Sequence, residues 1–287
     1  MRNFIILLLC FAFSHVTAQN ISGVVWDPGN QGAIPFVNIW IKDKRIGTTS
    51  DENGQFFLKK TISEADSLVF SAIGYEVLTI PIERLRDTIF LKSSTVILDE
   101  IEIVPLQEEE FRILFPFEKR QISRYYACGT NPWIVARFFP YDSSYSNTPF
   151  LNKIRLVTDS DVKNTVFNLR LYTVGENGKP DKFLRDQNIL VNVPKGKKWT
   201  TVNLSAFRIK FPEKGFFVGI EWLIIEENKH EYEYTKSDFK KKYKGISYEP
   251  AFGSTPKTSS ENSWIFREGK WLPAYNTKGA IGKTGSD

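Results

Sequence analysis

Two acids and an Asn-Gly pair lie together in the stretch GTTSDENGQFFL, residues 47–58, and this combination suits either a metal loop or a tight turn. A calcium loop of the EF-hand type needs a third oxygen ligand in the loop and a glutamate six residues after its glycine, a position that Lys60 occupies here. Asp51 instead suits the first position of a type I turn, and Gly54 suits the left-handed position of a hairpin bulge. The sequence therefore predicts a turn, and we expect no bound metal and no cofactor.

Histidine is too scarce in this chain for the common hydrolase mechanisms. Of its two histidines, His15 lies in the leader described below, so His230 would remain alone. Zinc hydrolases generally use histidines at metal-ligand spacing, and α/β-hydrolases carry a G-x-S-x-G elbow that this sequence lacks. The sequence also contains no Cys-x-x-Cys pair, P-loop or dinucleotide-binding fingerprint. We therefore predict no catalytic residues and a protein that is not an enzyme.

A pair of carboxylates is the catalytic arrangement that the sequence could still supply. Retaining glycosidases hold two carboxyl groups about 5–5.5 Å apart, and inverting ones hold them farther apart. Glu221 could be one member of such a pair, with Glu231 or Glu233 as the other. Because Glu221 precedes Trp222, the centre of a predicted buried face, we expect the glutamate side chain to point into solvent. A glycosidase is therefore the least favoured functional hypothesis.

Aromatic side chains are better candidates for binding, since they make up 14% of the chain and exposed rings can stack on sugar faces. Trp264 and Trp271 lie near predicted strand ends, and Tyr141 and Tyr145 lie in the polar loop FFPYDSSYSN. We predict these four as the ligand-binding residues. The alternative, which is favoured for the two tryptophans, is that they pack in a core, as we also expect of Trp222.

The N-terminus predicts export. Arg2 precedes the short apolar run FIILLLCFAF, and Val16 and Ala18 are small residues placed before a cleavage site ahead of Gln19. The run is shorter than the about 20 apolar residues that a membrane-spanning helix needs, and no later segment is long enough. We therefore expect a signal peptide at residues 1–18. The mature protein, without a transmembrane segment, would lie in the periplasm or at the cell surface, associated with the outer membrane.

Charge and cysteine content narrow the possible partners. The net charge is +5, and basic residues cluster only in the segment KSDFKKKYKG, residues 236–245. Interleaved aromatic and basic residues can bind nucleic acid, but an exported protein rarely meets it, so we predict a solvated loop and no nucleic-acid partner. Without the leader, Cys128 is the one remaining cysteine, and we expect a small buried residue rather than a reactive thiol.

Short segments of alternating hydrophobicity, separated by turn signals, predict an all-β chain. The segment FVNIWIK, residues 36–42, places Val37, Ile39 and Ile41 on one face, which predicts a half-buried strand. The clearest buried face later in the chain lies in residues 216–224. The other predicted strands of the N-terminal half are 21–26, 45–50, 54–59, 66–73, 75–82, 87–92 and 96–104.

An ordered set of short motifs gives the N-terminal half a family resemblance. The motifs are Gly23-Val24-Val25, Ile34-Pro35-Phe36-Val37-Asn38, Gly47-Thr48-Thr49, the turn at residues 51–56 and Ile73-Gly74-Tyr75. In this order, residues 20–104 resemble the carboxypeptidase-like regulatory domain family. The resemblance implies a prealbumin-like β-sandwich of the kind common in exported proteins of Bacteroidota. It implies no peptidase activity.

The remaining chain predicts a second, jelly-roll-like β-sandwich. We place the boundaries at 19–104 for the regulatory domain, 105–126 for a linker, 127–278 for the second sandwich and 279–287 for a flexible tail. The leading functional hypothesis is a non-catalytic exported interaction or scaffold protein of the cell envelope. The alternative is a carbohydrate-binding protein that uses the second-domain aromatics. The partner would accordingly be an envelope protein or a glycan, and the sequence leaves the oligomeric state open.

Overall fold

The computed structural model describes residues 20–59, 63, 65–94, 111–235, 241–255 and 262–274, together with the backbone of 282–283. Within these ranges the protein is all-β, with five short 3-10 turns and no α-helix. No helix in this part of the chain is long and apolar enough to cross a membrane. The predicted fold class is therefore confirmed.

The N-terminal unit is a sandwich of two four-stranded sheets. In one sheet β1 lies between β2 and β5 and also pairs in parallel with β8, and the other sheet has the antiparallel order β4-β3-β6-β7. Alternation builds the core, because β5 turns Phe56 and Leu58 inward while its other residues face solvent. The strands are β1 (Asn20–Asp27), β2 (Gly32–Ala33), β3 (Asn38–Ile41), β4 (Gly47–Thr49), β5 (Gln55–Lys59), β6 (Ser67–Ser71), β7 (Leu78–Pro81) and β8 (Thr88–Phe90).

The C-terminal unit has a seven-stranded and a six-stranded sheet that enclose a larger core. The first sheet has the order β13-β12-β16-β10-β19-β20, with β14 beside β12, and the second has the order β15-β11-β18-β9-β21, with β17 beside β18. The strands are β9 (Arg124–Cys128), β10 (Ile134–Phe139), β11 (Lys153–Asp159), β12 (Thr165–Val174), β13 (Pro180–Phe183), β14 (Ile189–Val193), β15 (Lys198–Asn203), β16 (Phe216–Trp222), β17 (Lys229–Thr235), β18 (Lys242–Ser254), β19 (Ser263–Arg267), β20 (Lys270–Pro273) and β21 (Gly282–Lys283).

Trp222 is the centre of the C-terminal core, as the sequence predicts. Its ring is fully buried and stacks on Trp133 with 4.5 Å between ring centroids. Its indole N–H donates to the carbonyl oxygen of Pro250 at 2.7 Å, which satisfies the polar atom of a ring that is otherwise apolar. The same core contains Cys128, where burial raises the pKa of the thiol far above its ordinary value. This thiol is therefore protonated and inert at neutral pH, as predicted.

Several predicted boundaries coincide with regions that the structure leaves undescribed. The leader at 1–18 and the predicted strand at 96–104 lie outside the described residues. The segment predicted as a linker, 105–126, includes the start of β9 at Arg124, and the segment predicted as a tail, 279–287, includes β21, which pairs with β9. The exact domain boundaries stay predictions.

The two sandwiches are packed against each other through β3 and β4. The expectation of a half-buried β3 is wrong, because all four of its residues are buried. Its inner face packs in the N-terminal core, while Trp40, on the other face, contacts Phe266 of β19 edge to face at 5.9 Å. Thr49 accepts a hydrogen bond from the backbone N–H of Ile224 at 3.0 Å. Gly47 permits this approach, since a Cβ there would lie 2.7 Å from Pro132.

Ion pairs at the rim surround this junction. Arg45 pairs with Glu268 at 2.6 Å, and Lys270 pairs with Asp43 at 3.5 Å. All four side chains are at least one-third exposed, so these pairs contribute little to stability. They join the turn after β3 to the β19–β20 hairpin at the edge of the junction.

Tyr75 closes the corner between the two N-terminal sheets. Its hydroxyl donates to the carboxylate of Asp27 at 2.9 Å, and that carboxylate also accepts from the backbone N–H groups of Gly29 and Asn30. Burial and, next, the bond to Asp27 raise the pKa of Tyr75 to about 12. Gly74, with a φ of +79°, makes the turn that directs the ring inward.

The acidic stretch is the predicted hairpin turn. The Asp51 carboxylate accepts from the backbone N–H groups of Asn53 at 2.9 Å and Gln55 at 2.8 Å. Gly54 has a φ of +71° and donates to the Asp51 carbonyl at 3.1 Å. These bonds use the acid to satisfy the backbone, which is the local function expected of aspartate in a turn.

We expect Gly54→Val to lower the free energy of unfolding by about 1–3 kcal/mol or more. A valine would be strained at this φ, and its Cβ would lie 2.7 Å from the carbonyl oxygen of Val25. Asp51→Asn is the control and should cost less than about 1 kcal/mol, because an amide oxygen can accept the same bonds. Urea unfolding of both variants tests this. A Gly54→Val protein as stable as the parent, or a calcium-dependent rise in Tm, would refute the turn assignment.

Candidate functional site

Glu221, the acid that the sequence offers for catalysis, is buried in an ion pair. Only 3% of the residue is exposed, so the expectation that it faces solvent is wrong. One carboxylate oxygen accepts from Nε and Nη2 of Arg170 at 2.7 and 2.5 Å, and the other accepts from the amide of Asn38 at 3.2 Å. The side chain does point away from Trp222, but the N-terminal sandwich covers the surface that it reaches.

Asparagines complete this buried polar network. Asn188 accepts from Nη1 of Arg170 at 3.0 Å and from the amide of Asn168 at 2.8 Å. The side-chain amide oxygen of Asn168, Oδ1, accepts a hydrogen bond from the backbone N–H of Ile189 at 3.2 Å. A charge buried in a protein needs such partners, because the loss of hydration is otherwise uncompensated. The network therefore holds Glu221 in a fixed position as a structural group.

The proposed partners of Glu221 in catalysis lie elsewhere. Glu231 and Glu233 are exposed on β17, which belongs to the opposite sheet from β16. Lys229 donates to Glu231 and lowers the pKa of that carboxyl. A general acid of a glycosidase needs the opposite shift, and its partner needs a free carboxylate. Glu221 therefore forms no carboxylate pair with Glu231 or Glu233, and the glycosidase hypothesis rested on such a pair.

The two tryptophans predicted to bind ligand are packed against neighbouring aromatic side chains. Trp264 and Trp271 lie on neighbouring strands of the β19–β20 hairpin, and both are half-buried against a small cluster that contains Tyr172. The ring of Trp271 contacts Tyr172 edge to face at 5.2 Å and Phe266 at 5.2 Å. These contacts place the tryptophans on the outer face of the seven-stranded sheet, beside the junction.

The two predicted tyrosines form a separate pair. Tyr141 and Tyr145 contact each other edge to face at 6.0 Å, and both rings contact Phe211. Tyr141 is 37% exposed, whereas Tyr145 packs on the main C-terminal core. The tryptophans belong to a different hydrophobic cluster. The four residues predicted to bind ligand thus lie in two separate packing groups in the structure.

The sequence reading missed an exposed aromatic row on β17 and β18, which we call the tyrosine ladder: Tyr232, Tyr234 and Tyr243. Tyr234 stacks on its cross-strand partner Tyr243 at 5.7 Å, and Tyr232 lies 6.0 Å from Tyr234. Tyr232 and Tyr234 are 39% and 40% exposed. Gly245, opposite Tyr232, makes room for its ring, since a Cβ there would lie 2.5 Å from the ring.

The ladder lies on a two-stranded ribbon formed by residues 229–235 and 242–247. In the described part of the chain, β17 pairs with β18 alone, and residues 242–247 pair with β17 alone. The far face of the ribbon has acids and lysines, with Lys242 paired to Glu233 at 3.2 Å. The solvated loop predicted for 236–245 is thus wrong for 242–245, which are strand, while 236–240 lie outside the described residues. The alternation HEYEY was the signal for this element.

A cluster of one histidine and two acidic residues lies at the base of the ribbon. His230 shares the face of the tyrosine ladder, and its ring lies 5.8 Å from that of Tyr232. Its Nδ1 atom lies 3.6 Å from a carboxylate oxygen of Asp161 and 3.6 Å from one of Glu249. These three residues could hold a metal ion. The sequence reading treated His230 as an isolated histidine because its partners are distant in the chain.

Comparison with known families identifies the N-terminal unit. Residues 21–103 match the CarboxypepD_reg-like domain family, so the resemblance seen in the motif order is confirmed. The domains of this family are non-catalytic β-sandwiches. The match includes β1 to β8 and leaves the C-terminal sandwich outside it. No curated protein matches the chain.

We expect Arg170→Met to lower the free energy of unfolding by about 3–5 kcal/mol, because Glu221 would stay buried without its cation. Urea unfolding measures the change. The double variant Arg170→Met/Glu221→Leu should recover part of the loss, since it leaves no uncompensated charge. Arg120→Met is a matched control in an ion pair whose side chains are 81% and 63% exposed, and it should cost less than about 1 kcal/mol. Equal effects of Arg170→Met and Arg120→Met would contradict the structural role of the network.

Proposed function

We propose that this chain is an exported, non-catalytic binding module of the cell envelope, and that the tyrosine ladder is its binding surface. The ladder carries the proposal, because exposed aromatic rings in a row are costly to leave in water without a function. The non-catalytic family of the N-terminal domain supports it. So does the ion pair that occupies Glu221, the acid otherwise available for catalysis.

Tyrosine is well suited to such a surface. Its ring supplies a large, rigid contact area, its hydroxyl bonds to polar groups, and few rotatable bonds are frozen on binding. An isolated two-stranded hairpin is marginally stable in water. The stacked pair of Tyr234 and Tyr243 and the ion pair of Glu233 with Lys242 connect the two strands on opposite faces of the ribbon. The ribbon therefore keeps its shape without a neighbouring sheet strand.

The arrangement of the domains leaves this surface open. The N-terminal sandwich packs on the seven-stranded sheet, at Glu221 and Phe266. The ribbon extends from the six-stranded sheet, which is the other layer of the C-terminal sandwich. The N-terminal domain therefore leaves the ladder accessible to a partner while it packs on the opposite sheet. This is the geometry expected of a scaffold or adaptor.

A carbohydrate ligand is the second candidate. Rings in a row can stack on successive sugar rings, and the ladder offers three of them with centroids 5.7 and 6.0 Å apart. The acids and lysines on the far face do not contribute to such stacking. A protein partner would use the same rings, so the two candidates differ in the ligand and share the site.

The ribbon can be tested with the double variant Tyr232→Ala/Tyr234→Ala. We expect it to lose at least about tenfold in affinity for the ligand, which corresponds to about 1.4 kcal/mol. Tm should change little, because both rings lie on the ribbon and outside the two large hydrophobic cores. A glycan array and binding to purified envelope proteins supply the ligands for the measurement.

Trp271→Ala is the control, since it removes an aromatic residue of the site that the sequence predicted. It should retain binding to the ligand. Loss of binding with Trp271→Ala alone would move the site to the β19–β20 hairpin. Hydrolysis of a polymeric substrate that Glu233→Gln abolishes would overturn the non-catalytic assignment.

Export is a separate part of the proposal and rests on the N-terminal sequence. We expect cleavage between Ala18 and Gln19, because small residues occupy the positions that signal peptidase reads. Intact-mass spectrometry of the protein recovered from the envelope of the expressing cell tests this. A mass that includes Met1, or a protein that stays in the cytoplasm, would contradict export.

A further inference from the structure

Three side chains from distant parts of the chain converge at the base of the ribbon. Asp161 lies in the connection between β11 and β12, His230 lies on β17, and Glu249 lies on β18. One ligand atom from each lies within 4.8 Å of the other two. His230 and Glu249 lie on two paired strands and Asp161 lies in a connection that follows β11, so the cluster is a consequence of the fold rather than of one loop.

The distances from Nδ1 of His230 to its two acidic neighbours do not suit hydrogen bonds. Nδ1 of His230 lies 3.6 Å from oxygens of both Asp161 and Glu249, beyond the range of an N–H···O bond. This nitrogen is buried and makes no hydrogen bond within the described part of the chain. A buried ring nitrogen without a partner costs free energy, so its position needs a physical reason.

A metal ion supplies that reason. Two atoms bound to one tetrahedral metal at about 2.1 Å lie about 3.4 Å apart. This is close to the 3.6 Å that separates Nδ1 of His230 from each of the two carboxylate oxygens. Imidazole and carboxylate together suit zinc and other first-row divalent ions. We propose that Asp161, His230 and Glu249 bind one divalent transition-metal ion, with Zn²⁺ as the best fit. This inference replaces the sequence-based expectation of no metal.

The surroundings of the cluster suit such an ion. Glu249 is 3% exposed and accepts a hydrogen bond from the hydroxyl of Ser247 at 3.1 Å, which orients its carboxylate. The Asp161 side chain is 55% exposed, so this edge admits the ion and leaves a coordination position for water. Two carboxylates and one imidazole also supply the negative charge that a divalent cation requires.

The bound ion would have a mechanical consequence. It would join the β11–β12 connection to β17 and β18 at the base of the ribbon, where His230 meets the tyrosine ladder. In the described chain β17 pairs with β18 alone, and its other attachment is the preceding 3-10 turn, where Asn228 is hydrogen-bonded to Val166 and Leu223. The ion would add a third attachment. Metal binding would therefore fix the angle at which the ladder leaves the sandwich.

A protonated His230 between two carboxylates is the competing explanation of the cluster. In that case the three side chains would form a stable cluster without a bound metal ion. The test uses tag-free mature protein, stripped with a chelator and titrated with Zn²⁺ by calorimetry at a pH above 7, where free imidazole is neutral. We expect one ion per chain and a rise in Tm that grows with free Zn²⁺. No saturable binding would establish the metal-free explanation and overturn the proposal.

Matched variants identify the ligands. His230→Gln and Asp161→Asn should each weaken Zn²⁺ binding by about 100-fold or more, and both positions are open enough for the fold to survive. Glu231→Gln removes an exposed carboxylate next to His230 and should leave the affinity unchanged. Co²⁺ should give a ligand-field spectrum that His230→Gln abolishes. Equal Zn²⁺ binding by the parent and His230→Gln would show adventitious surface binding and refute the site. Ligand binding at the tyrosine ladder is measured in a separate experiment, so either proposal can fail alone.

Discussion

The ion pair between Arg170 and Glu221 determines how the two halves of this protein fit together. Both side chains lie on the outer face of a β-sheet, a position that water would normally reach, yet they are 2% and 4% exposed. Buried charges are tolerated only when other polar groups replace water around them. Asn38 of the N-terminal sandwich supplies one such group, so the docking of one domain completes the polar network of the other.

The rest of the junction depends on this requirement. β3 is buried on both faces because one face builds the N-terminal core and the other lies over Glu221 and Phe266. The seven-stranded sheet is covered in this way, whereas the tyrosine ladder lies on the ribbon of the other sheet. Glu221 is held in a structural role, and the tyrosine ladder lies on the other sheet. This division supports the proposed binding function.

Local chemistry explains what the sequence could predict. The turn at Asp51 and Gly54 is encoded within five residues, and the buried face around Trp222 is encoded by large apolar residues at every second position. Alternation tells which side of a strand a residue takes, but it does not tell what covers that side. For that reason Glu221 was placed correctly opposite Trp222 and wrongly in solvent. The same limit explains why β3 is predicted to be half-buried, although the C-terminal sandwich covers its second face.

Contacts between residues distant in the chain explain what the sequence could not predict. Asp161, His230 and Glu249 come together only after three strands have paired, so no motif spacing reveals them. The ladder depends on the register that places Tyr234 opposite Tyr243, across a hairpin whose second half looked like a basic loop. Trp264 and Trp271 were chosen for their residue type, and the structure shows that neighbouring rings cover much of each.

The central claim is that the buried network fixes the two sandwiches in one arrangement. Spin labels at Glu52→Cys and Lys195→Cys, both exposed and one in each sandwich, report the distance between them by double electron–electron resonance. Cys128 is buried and stays unlabelled. The account predicts a single narrow distance distribution for the parent, which broadens when Arg170→Met leaves Glu221 unpaired. A broad distribution in the parent itself would contradict it, because the domains would then move independently.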